Sequence, residues 1–124
     1  MEKKDVRKLR DLGKKLADIA ALPIQNEKKA LWKAHNSLKG VRPMVYIDQL
    51  PWHEISRCDE MRLECEDSFL RKIEFSIKQL LYRWNHFPVD MVVENRIDIP
   101  MTVHNLNYGL KVIEETLSTD IENE

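Results

Sequence analysis

The sequence has few of the residues that build reactive loops or cross-linked frameworks. It contains 124 residues, of which only three are glycine and two are cysteine. Three scattered glycines are too few for a glycine-rich phosphate-binding loop, and no G-x-S-x-G nucleophile motif occurs. Two cysteines do not make a disulfide framework, which is typical of a reducing compartment. We therefore expect a cytoplasmic protein.

Long apolar runs are also absent. No stretch approaches the ~18 apolar residues of a membrane-spanning helix. The charged start MEKKDVRKLRDLGKKL is not followed by the apolar core of a secretory signal. The composition of 43% hydrophobic and 33% charged residues is that of a folded globular protein, and the length suits one domain.

Charge is divided unevenly along the chain. Residues 1–42 carry 12 Lys and Arg against 5 Asp and Glu, whereas residues 43–124 carry 8 against 16. A basic segment of this kind occurs in nucleic-acid-binding arms. Here the basic residues alternate with acidic ones, and Trp32 is the only aromatic residue available for base stacking. We favour solvent-exposed helices, with neither nucleic acid nor a membrane as partner.

Two helices are predicted before residue 41. Apolar residues recur at helical spacing over residues 3–21. Pro23 breaks that helix and suits the first turn of the next one. Gly40 then occupies the position of a C-cap glycine.

Two short apolar segments, residues 44–47 and 91–93, are interpreted as strands on either side of a third helix. That helix has an apolar stripe over residues 70–84 and a cap residue in Asp67 or Ser68. Strand, helix and strand in this order predict a parallel βαβ unit. A two-stranded sheet has open edges, so we expect either a homodimer or the first part of a larger fold.

The stretches ALPIQNEKKALWKAHNSLKGVRPMVYIDQLPWHE and EDSFLRKIEFSIKQLLYRWNHFPVDMVVENRIDIPMTVHN resemble the N-terminal region of the uroporphyrinogen decarboxylase-like family. The resemblance extends over about residues 5–117 and is strongest to the branch grouped with corrinoid-dependent methyltransferases. It implies an α/β fold in which residues 1–40 form an N-terminal helical segment and residues 41–124 start a TIM barrel. The barrel would be incomplete, because a (β/α)₈ barrel needs ~250 residues.

The resemblance also implies a function for the longer parent protein. The parent would be a methyltransferase-type or decarboxylase-like enzyme, with zinc and a corrinoid partner possible in its full-length form. The fragment itself would hold no cofactor and be inactive, because a barrel assembles its catalytic face from several strands. Its partner would be the remainder of the barrel.

The family's decarboxylases carry a strand of the type R-x-P-V-W-x-M-R-Q, whose arginines hold substrate carboxylates. The segment RPMVYIDQ keeps Arg42, Val45, the aromatic Tyr46 and Gln49 of this pattern. Asp48 stands in place of the second arginine and would repel a carboxylate. Asn95 stands where the decarboxylases have a catalytic Asp. Both departures argue against porphyrinogen decarboxylation.

Candidate catalytic residues of the parent follow the two predicted strands, at the end where a barrel holds its active site. His53 beside Glu54 could form an acid/base pair, and Glu94 could be a base, a metal ligand or a partner of Arg96. The alternative is a solvated loop with Trp52 packed beneath it. The candidate substrate-binding residues are Asp48, Gln49, Trp52 and His104.

No metal site is predicted. The spacing of His53, Cys58 and Cys65 lacks the C-x2–4-C pair of structural zinc sites, and two ordinary thiols explain it better. A different class of function stays open beside the enzyme fragment. The chain could be a stand-alone helical and βαβ interaction module that dimerises to cover its sheet edges and has no catalytic role.

Overall fold

A computed structural model of the chain describes residues 3–99. Three long helices account for most of this part, and two short helical turns lie between the second and the last. In chain order the elements are α1 (Lys3–Ala20), α2 (Pro23–Asn36), α3 (Trp52–Ile55), a 3₁₀ turn (Asp59–Met61) and α4 (Ser68–His86).

The three predicted helices are confirmed with their boundaries nearly as expected. Pro23 lies in the first turn of α2, where its missing N–H costs nothing. Asp67 is the N-cap of α4, and its carboxylate accepts the backbone N–H groups of Phe69 and Leu70, each at 3.0 Å. Helical periodicity and capping chemistry therefore located these elements correctly.

The prediction that Gly40 caps α2 is wrong. The helix ends at Asn36, and the left-handed residue that follows is Leu38, with a φ of 57°. Gly40 instead lies against His35, where an added Cβ would come within 3.4 Å of the His35 Cα atom. The glycine allows a close approach of the chain to the helix that it follows.

The predicted strands are wrong as well, and so is the expectation of βα units of a TIM barrel. Between residues 3 and 99 the structure contains helices and irregular segments but no strand or sheet. Residues 44–47 are not buried on both faces, since Val45 and Tyr46 are 47% and 48% exposed. The α/β fold class is therefore replaced by a helical one for this part of the chain.

Side-chain oxygens accept the hydrogen bonds of backbone N–H groups that would pair with a neighbouring strand in a sheet. The Val45 N–H donates to the Asp90 carboxylate at 2.9 Å, and the Val93 N–H donates to Oε1 of Gln25 at 2.9 Å. One backbone bond joins the two segments, from the Asp90 N–H to the Val45 carbonyl at 3.1 Å. Because these side chains satisfy the donors, the two segments lie together without forming a sheet.

The core lies between α1, α4 and the segment after α4. Leu16 of α1 is 2% exposed and packs with Met91 and Val93. Partly buried residues surround them: Ile19, Ala20, Leu80, Leu81, Trp84 and Ile97. Among the helices of residues 3–99, none has both the length and the apolar character that crossing a membrane requires.

Candidate functional site

His53 and Glu54 lie on α3, a helical turn that sequence periodicity missed. Their Nε2 and Oε1 atoms are 3.6 Å apart, and the side chains are 46% and 67% exposed. Trp52 on the same turn faces α4, with its ring in edge contact with Phe75 and Tyr82 at centroid distances of 6.4 and 6.0 Å. His53 and Glu54 thus form a solvent-exposed contact on a helical turn that Trp52 packs against α4. Gln49, three residues before Trp52 in the sequence, is also exposed.

Glu94 lies elsewhere and is already paired. Its carboxylate is 3.3 Å from Nζ of Lys29 and 3.4 Å from Nε of Arg96. The two described clefts that border Glu94 take no lining residue from α3. The structure therefore does not place Glu94 in one cleft with His53 and Glu54. His104 lies outside the described residues.

Asp48, a candidate for substrate binding, contacts the last turns of α4 instead. Nη1 of Arg83 donates to the Asp48 carboxylate and to the Tyr46 hydroxyl oxygen, both at 3.0 Å. Asp48, which stands in place of an arginine in the pattern described above, therefore forms an ion pair with Arg83 of α4.

Asp90 is a central residue that sequence reasoning missed. The residue is 5% exposed, and its carboxylate accepts Nη1 and Nη2 of Arg42 at 2.9 and 2.6 Å in addition to the Val45 N–H. The indole N–H of Trp32 donates to the Asp90 carbonyl at 2.8 Å. The Arg42 guanidinium, helped by the Val45 N–H, holds the pKa of this carboxyl well below its usual range. We call this arrangement the Arg42–Asp90 clasp.

Glu74 forms a second buried carboxylate site, on α4. It is 0% exposed and accepts the backbone N–H groups of Glu64 at 3.0 Å and Cys65 at 2.9 Å. Lys78 lies one turn later with Nζ 3.4 Å away, and also donates to the Arg62 carbonyl. Burial alone would raise the pKa of Glu74, but these donors and the nearby ammonium outweigh it and leave the pKa lowered.

A carboxylate from α1 holds the rest of the same connection. Asp5 is 1% exposed, and its Oδ2 atom accepts the backbone N–H groups of Glu66 at 3.1 Å and Asp67 at 3.2 Å. The four consecutive residues 64–67 are therefore held by Glu74 from one side and by Asp5 from the other. This connection positions the N-cap of α4.

We expect the protein to lose stability in acid through Glu74 and Asp90. Their pKa values are lowered in the folded chain, whereas unfolded carboxyls titrate at about 4. The unfolded state therefore binds more protons below about pH 5, and the free energy of unfolding falls as pH drops through 4. Urea unfolding at pH 7, 5, 4 and 3 measures this; equal free energies of unfolding at pH 7 and pH 3 would contradict it.

The two thiols are expected to react very differently. Cys58 is exposed, whereas Cys65 is 1% exposed. Burial, with Glu74 beside the thiol, raises the pKa of Cys65 to about 11. Because the thiolate is the reactive form, iodoacetamide should label Cys58 in the native protein and Cys65 only after unfolding. Peptide mass spectrometry after timed labelling checks this, and equal labelling rates would refute it.

No described arrangement amounts to a catalytic constellation. Among residues 3–99, no group of three or more His, Cys, Asp or Glu is placed to hold a metal ion. Comparisons of the chain with protein-family models, curated protein sequences and solved structures gave no match. The buried charges instead hold connections in place: the Arg42–Asp90 clasp holds the segment after α4, and Glu74 holds the connection that precedes α4.

Proposed function

We propose that this chain is the N-terminal part of a cytoplasmic enzyme of the uroporphyrinogen decarboxylase-like type, from the methyltransferase-related branch. The chain alone has no catalytic activity in this proposal. The two segments whose sequences resemble that family, residues 21–54 and 66–105, support it. The separation of Glu94 from His53 and Glu54 supports the lack of activity, because a catalytic acid and base must share one site.

An exposed apolar surface carries the proposal. Val41 is 86% exposed, Val45 and Tyr46 about half exposed and Val89 41% exposed. We call these four residues the apolar rim. Val45 is bonded to Asp90 through both its N–H and its carbonyl, and the other three are chain neighbours of Arg42, Val45 or Asp90. Grouped exposed apolar residues commonly mark an interaction surface, and the occupant that we propose is the remainder of the parent enzyme.

In the parent, His53, Glu54 and Glu94 are the candidate acid/base or ligand groups. His53 and Glu54 are exposed and can face residues contributed by the rest of the polypeptide, whereas Glu94 would exchange its contacts with Lys29 and Arg96 for new ones. Zinc or a corrinoid partner belongs to the parent in this proposal.

The test begins with the coding DNA beyond the codon of Glu124. We expect an open frame that continues and encodes a longer protein with methyl-transfer or decarboxylation activity. Glu94→Gln should lower that activity, whereas the matched surface change Glu27→Gln on α2 should not. A stop codon after Glu124, or a measurable rate from the 124 residues alone, would overturn the proposal.

The apolar rim also favours a second candidate function. A stand-alone interaction module would use it to form a homodimer and would have no catalytic role. Sedimentation equilibrium distinguishes the two candidates. A dimer with a cooperative melt, converted to a monomer by Tyr46→Lys but not by the distant change Lys15→Ala, supports the module. A monomer at all concentrations dismisses it.

A further inference from the structure

Lys28 of α2 is a buried amine that has no carboxylate partner. The residue is 8% exposed, and Lys78 is the only other buried lysine in residues 4–99. Lys78 has the Glu74 carboxylate 3.4 Å away and donates to a backbone carbonyl. Lys28 has neither an ion pair nor a hydrogen bond of its ammonium within residues 3–99. A buried cation without these contacts is unusual, because lysine is almost never fully buried unless it is paired.

The amine of Lys28 lies over the indole ring of Trp84, with Nζ 4.8 Å from the ring centroid. Trp84 itself packs against the core residues Leu16, Met91 and Val93 and is therefore held in place. An ammonium is attracted to the face of such a ring. A neutral amine keeps part of this contact, because an N–H group can point at the same face. The ring therefore positions Nζ in both protonation states.

Burial lowers the pKa of Lys28 and outweighs the opposing negative charge of Asp90. An ammonium loses its hydration on burial, which favours the neutral form. Lys8 shows the opposite case, since its bond to the Glu64 carboxylate raises the pKa of that amine. Near neutral pH, a larger share of Lys28 than of an exposed lysine is therefore unprotonated. The unprotonated amine is the nucleophilic form of lysine.

The nitrogen of Lys28 is not sealed from solvent. Within residues 3–99, the fully buried side-chain nitrogen and oxygen atoms that lack a hydrogen-bond partner are Oδ1 of Asp5 and Nε of Arg83. Nζ of Lys28 also lacks a partner but is not buried to that extent, so it keeps some contact with water. None of the four clefts described in this part of the chain is lined by Lys28. A reagent that reaches the nitrogen is therefore small, with one or two carbon atoms.

The surroundings of Lys28 also decide which small electrophile fits. Carbon dioxide would turn the amine into a carbamate, an anion that both burial and the charge of Asp90 disfavour. A small aldehyde would turn it into an imine, which is neutral or, when protonated, cationic. A neutral imine suits a buried position, and a cationic one keeps the attraction of the Trp84 ring.

We propose that Lys28 is a site of reversible Schiff-base formation with small aldehydes. The ammonium first gives a proton to water, and the lone pair of Nζ then forms a bond to the carbonyl carbon. One nitrogen proton moves to the carbonyl oxygen, which gives a carbinolamine. The hydroxyl group and the remaining nitrogen proton leave as water, and a C=N double bond forms without any oxidant or reductant. The site does not depend on the proposed parent enzyme, because Lys28 and Trp84 both belong to the described chain.

Timed labelling of the native 124-residue protein near neutral pH tests the proposal. Formaldehyde forms the imines, and sodium cyanoborohydride reduces each of them to a stable methylamine. Peptide mass spectrometry gives the initial rate at every lysine, and fragment spectra separate Lys28 from Lys29. We expect Lys28 to react severalfold faster than Lys33, an exposed lysine of the same helix. Lys78 should react most slowly, because its ammonium is buried and paired.

Two controls make the result specific to the fold and to the residue. In concentrated urea the preference for Lys28 should disappear, because the burial that lowers its pKa is lost. Lys28→Arg keeps a cation over Trp84 and should remove the fast reaction without changing the rate at Lys33; if this variant fails to fold, Lys28→Met replaces it. A native rate at Lys28 no higher than that at Lys33, or a preference that persists in urea, would overturn the proposal.

Discussion

Replacing Glu74 with alanine is expected to remove a large share of the protein's free energy of unfolding at 25 °C. The change leaves the N–H groups of Glu64 and Cys65 without their acceptor. It also leaves the ammonium of Lys78 without its carboxylate, and Lys78 is only 8% exposed. Removing one partner of a buried ion pair typically costs about 3–5 kcal/mol. Domains of this size are commonly stable by only about 5–15 kcal/mol, so the loss is a large share of the total.

Urea unfolding followed by circular dichroism at 222 nm measures the effect. Glu27→Ala, an exposed change on α2, is the control and should alter the free energy of unfolding by less than about 0.5 kcal/mol. The pair Glu74→Gln with Lys78→Met removes both charges and should recover part of the loss, because no buried charge is then left alone. A loss below about 1 kcal/mol in Glu74→Ala would show that water enters and solvates Lys78.

Replacing Asp90 with alanine is expected to release residues 42–47 from the helical body. The carboxylate is the acceptor for both Arg42 nitrogens and for the Val45 N–H. These are charge-assisted bonds, which are stronger than neutral ones. We expect the melting temperature to fall by roughly 5 °C or more, and the Val45 amide to exchange with solvent much faster.

Hydrogen exchange read by NMR separates local release from global unfolding. In Asp90→Ala the Val45 amide should lose protection while amides in the middle of α4 keep most of theirs. Asp11→Ala, an exposed change on α1, should leave both unchanged. In the double variant Arg42→Ala with Asp90→Ala, the loss of protection should be smaller than the sum of the losses in the two single variants, because the two residues act as one unit. Unchanged exchange at Val45 would show that the Arg42–Asp90 clasp does not hold the segment.

The helices could be predicted from the sequence because their signals are local. Periodicity placed α1 and α4, while Pro23 and Asp67 marked two of the starts. Residues 44–47 and 91–93 were misread because a short apolar run looks the same in a strand and in an irregular segment. The groups that prevent pairing are Asp90 and Gln25, and the Gln25 contact spans 68 positions along the chain. No local pattern reveals such a contact.

The candidate site was predicted less well for a related reason. His53, Glu54 and Glu94 were chosen because each follows a predicted strand, and that argument has no force because residues 3–99 contain no strand. The buried carboxylates Asp90 and Glu74 stand among apolar residues in the sequence, which is a signal that could have been used. The sequence alone did not indicate from which backbone N–H groups these two carboxylates accept hydrogen bonds.

The hold of Asp5 on residues 66 and 67 has a practical consequence for shortened versions of this protein. Helix α4 starts more than sixty positions after Asp5, yet the connection that sets its first turn depends on that carboxylate. Trimming the chain to begin after Asp5 would remove an acceptor for two backbone N–H groups that lie 61 and 62 positions further along the chain. The usual practice of cutting back a charged leading segment would therefore loosen the start of the longest helix.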